Sequence, residues 1–345
     1  MPLKHRLLGA PFLVLAMLAI FGLAVAACGN DDDDPVDDTP VDDVADDTDD
    51  AVDDAVDDTD DAIDDAVDDA VDDTDDAVVD DETERTLNLA YVPGWDEGVA
   101  VTFLWQHLLE EEGYDIELHS PDVAPLYQGI ADGDYDVYLD GWFPATHEVY
   151  QDEFGDDLVL HHMWYEGAGL YLTVPEYVDA ESLADLADMA DVFDSEIMGI
   201  EPGAGMMGIA ADSVMPAYGL DDWELIEAST PAMLAELDSA IADEEPIIVT
   251  LWEPGWWYAR YDLRNLEDPE NAWGDPEELW VVVNTEFADN YPTLAGWLEN
   301  FQMDDPEIAP LLDLIEEYGD GNESDAIEEW LEDDENRELA EGWIN

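Results

Sequence analysis

Residues 87–119 read LNLAYVPGWDEGVAVTFLWQHLLEEEGYDIELH, and this stretch decides the fold class. Residues 87–92 form an apolar run of strand length, closed by a Pro-Gly step. Val101, Leu104, Trp105 and Leu108 then recur at the i, i+3, i+4, i+7 spacing of one helical face. Gly113 stops that helix, and 115–119 reads as a second strand. The rhythm continues with a helix over 125–131 and a strand over 135–139, giving the β-α-β-α-β order of a mostly parallel sheet.

A second copy of the rhythm starts near Glu196. It has a strand over 196–200, a PGAG turn at 202–205 and a helix through Tyr218. A strand over 224–228, a helix over 232–242 and a strand over 246–251 follow. Residues 170–174 and 279–284 read as strands crossing between the two copies. The chain closes in helices, with Ile308, Leu311, Leu312 and Ile315 on one face and Ile327, Trp330 and Leu331 on another. The expected architecture is therefore α/β and two-lobed, with a ligand cleft between the lobes. Lobe 1 takes residues 83–174 and 285–345, and lobe 2 takes 175–284.

Three tryptophans stand in distinctive loops: Trp95 in YVPGWDEGVA, Trp142 in LDGWFPATH and Trp252 in VTLWEPGWW. Each follows a β-like run, where a strand hands over to a helix, and ligands of open α/β sheets bind at such ends. Three converging indoles present electron-rich faces suited to a cation with no N–H to donate, such as a quaternary ammonium. The Gly-rich turn at 203–205 opens a helix and offers free N–H groups and a positive dipole end to an anion. Together these ends suit a zwitterion.

Composition divides the remainder. Lys4, His5 and Arg6 precede an apolar run over 7–27 and then Cys28, the pattern of an export signal with a small-residue exit. The order Val25-Ala26-Ala27-Cys28 resembles the bacterial lipobox, which implies a lipoprotein signal peptide over 1–27 and lipidation of Cys28. An uncleaved anchor with an incidental Cys is the alternative. Cys28 is the only cysteine, so no disulfide forms within the chain. Residues 31–82 hold 29 acidic residues and no basic one, so 28–82 is expected to be an Asp-rich disordered tether.

Residues 83–345 carry 66 Asp and Glu against Arg85, Arg260, Arg264 and Arg337, with no Lys. That balance excludes nucleic acid as a partner, because phosphate contacts need clustered Lys and Arg. Such a surface is suited to saline medium, where at molar salt the Debye length falls to roughly 3 Å. The folded part is accordingly expected to lose cooperativity of unfolding on dialysis to low salt. An unchanged melting curve there would remove the halophilic explanation.

The blocks YVPGWDEGVAVTFLW (91–105), LYQGIADGDYDVYLDGWFPATH (126–147), MGIEPGAGMM (198–207) and IIVTLWEPGWWYARYDLRNLEDP (247–269) resemble the glycine betaine-binding proteins of osmoprotectant ABC importers. The resemblance covers nearly the whole folded part and implies a type II periplasmic-binding-protein-like fold. It places Trp95, Trp142 and Trp252 on the family's cage tryptophans. Gly205 and Met206 fall on the turn whose N–H groups take the ligand carboxylate, and His147 on the His that also holds it. The implied partners are a small zwitterion, the permease and ATPase subunits of an importer, and the membrane through lipidated Cys28. The implied localisation is extracytoplasmic and lipid-anchored, with no cofactor and no metal.

Two features depart from the pattern. The family's usual GWxPHW block reads Leu251-Trp252-Glu253-Pro254-Gly255-Trp256 here, and Pro93-Gly94 adds one residue before Trp95. Trp105 and Trp330 lie on helical core stripes and read as packing. Asp96 and Glu97 read as helix caps, although a carboxylate near the cage mouth also attracts a cation. Choline, carnitine or ectoine binding in the same importer class is an alternative function. A carbohydrate-active enzyme with Trp platforms and paired carboxylates, or a receptor sensor lobe, are others from different classes. No Ser-His-Asp elbow, Walker A loop or H-E-x-x-H specifies an enzyme.

Overall fold

The computed structural model describes residues 86–345. Cys28, the expected signal peptide over 1–27 and the expected tether over 28–82 lie outside the described residues. Strand β1 (Thr86–Ala90) leads into helix α1 (Asp96–Glu111), followed by β2 (Asp115–His119), α2 (Val123–Asp132) and β3 (Val137–Phe143). Both β2 and β3 pair with β1 in parallel, as the alternating pattern predicts. The apolar face of α1 buries Val101, Leu104, Trp105 and Leu108. Helix α2 ends at Gly133 in the left-handed conformation (φ +78°), which a residue without Cβ adopts freely.

After α3 (Glu148–Phe154) comes β4 (Leu158–Pro175), an 18-residue strand far longer than the apolar run at 170–174 suggests. Next are β5 (Glu196–Met198), α4 (Gly205–Ile209), β6 (Glu224–Ile226), β7 (Val249–Glu253), β8 (Leu263–Asn265) and β9 (Glu277–Asn284). A π-helical turn, Ala210–Val214, continues α4. The sheet order is β2-β1-β3-β9-β4-β7-β5-β6, with β8 on β4.

The wings are parallel, as expected, but the centre is not. β9 runs antiparallel to β3 and to the first part of β4, and the second part of β4 runs antiparallel to β7. These strands carry the chain from one wing to the other. Glu277–Asn284, expected as a strand crossing between the two copies, hydrogen-bonds to both β3 and β4. β4 changes sheet partner at Gly169, short of the boundary expected at 174. Both strands are apolar, and an apolar run does not state which neighbour it pairs with.

The C-terminal helices cover α1. Trp105 stacks on Trp343 (centroids 6.2 Å apart), and Phe301 meets Trp343 edge-on at 4.9 Å. Trp105 and Trp330 are both buried. All seven residues of β3 are buried, and this central strand ends at Gly141-Trp142-Phe143.

Candidate functional site

Trp95, Trp142 and Trp252 line one narrow cavity. His147, Gly205 and Met206 line it too, so all six residues proposed from sequence for ligand contact converge. Leu170, Ile200, Ala204, Thr146 and Glu97 complete the wall.

Local structure sets each Trp. Gly94 has φ +85°, a conformation that favours glycine, and it turns the chain so that Trp95 occupies the N-cap position of α1. The Trp95 ring stacks on the His147 imidazole, 5.8 Å between centroids and 14° between planes. Trp142 leaves the end of β3 with Asp140 on the same face two residues earlier, and its Nε1 donates to Asp140 Oδ1 (2.9 Å). Trp252 lies on β7, paired with Leu170 of β4. Both Trp-x-Pro steps, Phe143-Pro144 and Glu253-Pro254, are cis.

The departure at Gly255 has a packing reason. A Cβ there would fall 2.2 Å from the Trp257 ring, and that ring meets Trp252 edge-on at 4.7 Å. Trp257 fills the space beside Gly255 and supports Trp252 from behind. Trp256 instead donates its Nε1 to Asp96, joining β7's following turn to the start of α1. Neither lines the cavity.

His147 is held in one tautomer. The backbone N–H of Trp142 donates to its Nδ1 (2.9 Å), and the Tyr127 hydroxyl sits 2.9 Å from the same nitrogen. An amide N–H can only donate, so Nδ1 is the acceptor and Nε2 carries the proton. Nε2 is buried without a partner, in a residue that lines the cavity. Burial lowers the His147 pKa to about 3, so the ring is neutral. The loop before it is anchored by Glu277, which accepts from the N–H groups of Ala145 (2.8 Å) and Thr146 (2.9 Å) and from the Thr146 hydroxyl. Glu277 stands 130 positions downstream in a chain full of acids, and nothing in the sequence marks it.

Gly205 and Met206 open the first turn of α4, where amide N–H groups have no intrahelical acceptor. A Cβ on Gly205 would lie 1.8 Å from the Thr146 carbonyl oxygen, so the two backbones meet only because this residue is glycine. The Tyr150 hydroxyl adds a bond to Gly203 O (3.1 Å). The cavity wall therefore combines three indoles with a neutral imidazole N–H and a helix N-terminus.

Asp96 and Glu97 are the first two residues of α1, whose N-cap position is taken by Trp95. Burial raises the Asp96 pKa to about 7, opposed by the Trp256 bond, and raises Glu97 to about 8, opposed first by the Trp252 indole. Asp140 is raised well above the ordinary carboxylate range by burial and by the charge of Glu97. A carboxyl whose folded pKa is raised contributes stability that is present below its unfolded value near 4 and is lost as pH rises through the folded value. His147 works oppositely, but only below its unfolded pKa near 6.5. The melting temperature of the ligand-free protein, at fixed molar salt, is therefore expected to fall as pH rises from about 6.5 to 9. A flat profile would mean these carboxyls are already ionised.

Comparison with known proteins agrees with the geometry. The family model described as the substrate binding domain of ABC-type glycine betaine transport system matches residues 85–333. The glycine betaine/carnitine transport binding protein GbuC of Listeria monocytogenes is 32% identical over 147 residues, which is 42% of this chain and 48% of that protein. The match thus spans about half the length of that relative. The glycine betaine/L-proline-binding protein ProX of Borrelia burgdorferi superposes with a TM-score of 0.70 at 30% identity, over 76% of this chain and 97% of that one. Lactococcal OpuAC, closed and complexed with glycine betaine, gives a TM-score of 0.69 at 27% identity over 76% and 100%.

Proposed function

Since the chain belongs to the family of substrate-binding domains of ABC-type glycine betaine transport systems, we propose that it captures glycine betaine or a closely related quaternary-ammonium solute outside the cytoplasm and hands it to an ABC permease. The observation that carries this reading is one cavity lined by three indoles, a neutral imidazole and the first residues of a helix. Trp95, Trp142 and Trp252 take the trimethylammonium head, while His147 Nε2–H and the N–H groups of Gly205 and Met206 take the carboxylate. Cation–π contacts give about 0.5–2 kcal/mol each. Micromolar affinity needs roughly 8 kcal/mol, so the carboxylate bonds, about 1.5–3 kcal/mol apiece, supply the remainder.

Trp95 and Trp142 follow strands of one wing and Trp252 a strand of the other. The cage is complete when the wings approach, and ligand stabilises that closed form by contacts the open form lacks. Closure then presents the surface the permease recognises. Lipidation at Cys28 would keep the protein near the membrane, and the acidic segment would let it sweep a volume above it. No helix among the described residues is long and apolar enough to cross a membrane.

Intrinsic Trp fluorescence titrated with glycine betaine in molar salt tests the proposal, with choline and proline alongside. A saturable change with glycine betaine, weaker with choline, is expected. Equal or tighter binding of choline would discard the carboxylate roles, and no response to any would sink the reading.

A further inference from the structure

Glu97 stands in the cavity wall among the three tryptophans, 1% exposed, and the groups that oppose the rise in its pKa are neutral N–H donors, the Trp252 and Trp142 indoles and its own backbone. A buried carboxyl met by neutral donors alone has no counter-charge, so this one needs a reason. Its neighbours are accounted for: Asp96 accepts from Trp256, and Asp140 accepts from Trp142 and, at 3.5 Å, from Tyr138. No protein cation reaches Glu97. The three arginines of the described residues are engaged elsewhere, Arg260 with Glu316, Arg264 with Glu176 and Arg337 with Glu111.

We propose that Glu97 is a fourth wall of the cage, its carboxylate serving as counter-charge to the cationic head, so that the site selects its ligand by positive charge as well as by shape. This rests on the quaternary-ammonium reading above. Three indoles already favour a trimethylammonium over a tert-butyl group of the same form through cation–π attraction. An anion in the same wall widens that preference. Position supports the role: Glu97 is the second residue of the 16-residue α1, where the helix dipole favours a negative charge. Gly98 lets α1 approach β3 closely, since a Cβ there would lie 2.7 Å from Asp140 Oδ2. That approach brings Glu97 and Asp140 together, and two buried carboxyls in contact do not both ionise readily. A cation entering the cage relieves this and favours release of a proton. The other titratable groups facing the pair are Asp96 on the same helix, Tyr127 on α2, Tyr138 on β3, and His147 after it.

The test uses the full chain and its Glu97→Gln variant in molar salt near pH 8. Both are titrated calorimetrically with glycine betaine, choline, and the carbon isostere of glycine betaine in which a neutral tert-butyl group replaces trimethylammonium. The expected result is a loss of at least tenfold for both cationic ligands in E97Q, with the neutral-headed isostere unchanged or bound more tightly. The wild type alone supplies a second readout: glycine betaine should release protons on binding, seen as a buffer-dependent enthalpy, and the isostere should not. Equal losses for all three ligands would mean that Glu97 only shapes the wall, and would overturn the proposal. So would unchanged affinities without proton release. A wild-type protein that binds none of the three would instead overturn the functional reading, and this one with it.

Discussion

Trp142→Ala is expected to weaken glycine betaine binding by more than tenfold, or over 1.4 kcal/mol, while the chain still folds. The indole does two jobs. Its face closes the cage, and its N–H holds Asp140 (2.9 Å) beside Glu97. Alanine removes both, leaving the cation one aromatic face short and the buried Asp140 short of a donor. Trp142→Phe keeps a ring without the N–H, so its affinity should fall between wild type and alanine. Calorimetry measures the affinities, and far-ultraviolet circular dichroism in molar salt checks the fold. Wild-type affinity in Trp142→Ala would exclude Trp142 as a wall of the cage.

Gly205→Ala is expected to cost about a hundredfold in affinity, roughly 2.7 kcal/mol, through one added methyl group. The methyl would sit 1.8 Å from the Thr146 carbonyl oxygen, a backbone atom held in place by the bonds from Ala145 and Thr146 to Glu277. Neither side can yield cheaply, so the start of α4 must withdraw from His147, and the carboxylate loses its two sets of donors at once. The ligand-free protein should melt nearly as wild type does, because alanine suits the first turn of a helix. Small-angle scattering should then show no ligand-induced compaction. Normal affinity in Gly205→Ala would show that the Thr146–Gly205 approach is not part of the bound state.

Much of this site can be read along the chain, because its main parts lie in short local motifs. Trp95, Trp142, His147, Gly205, Met206 and Trp252 each stand in a loop whose Pro, Gly and strand-end context is visible within ten residues, and all six face one cavity. The residues that escaped notice do their work at long range. Glu277 anchors Thr146 from more than a hundred positions away, Trp257 stands behind Trp252 beside Gly255, and Leu170 reaches the cavity through a strand pairing. Glu97 was visible as a carboxylate beside Trp95, but its burial in the cavity wall was not.

By itself, then, the sequence determined the alternation of strand and helix, the two-winged α/β plan, six residues that line one cavity and the acidic character of the chain. Each of these follows from local periodicity, turn chemistry or composition, which a linear pattern carries. Tertiary structure alone decided that β9 pairs with β3, that β4 serves both wings, that His147 is neutral with its proton on Nε2, and that Glu97 is buried in the cavity wall. Those properties depend on which distant groups come into contact and how much water they exclude, and spacing along a chain records neither.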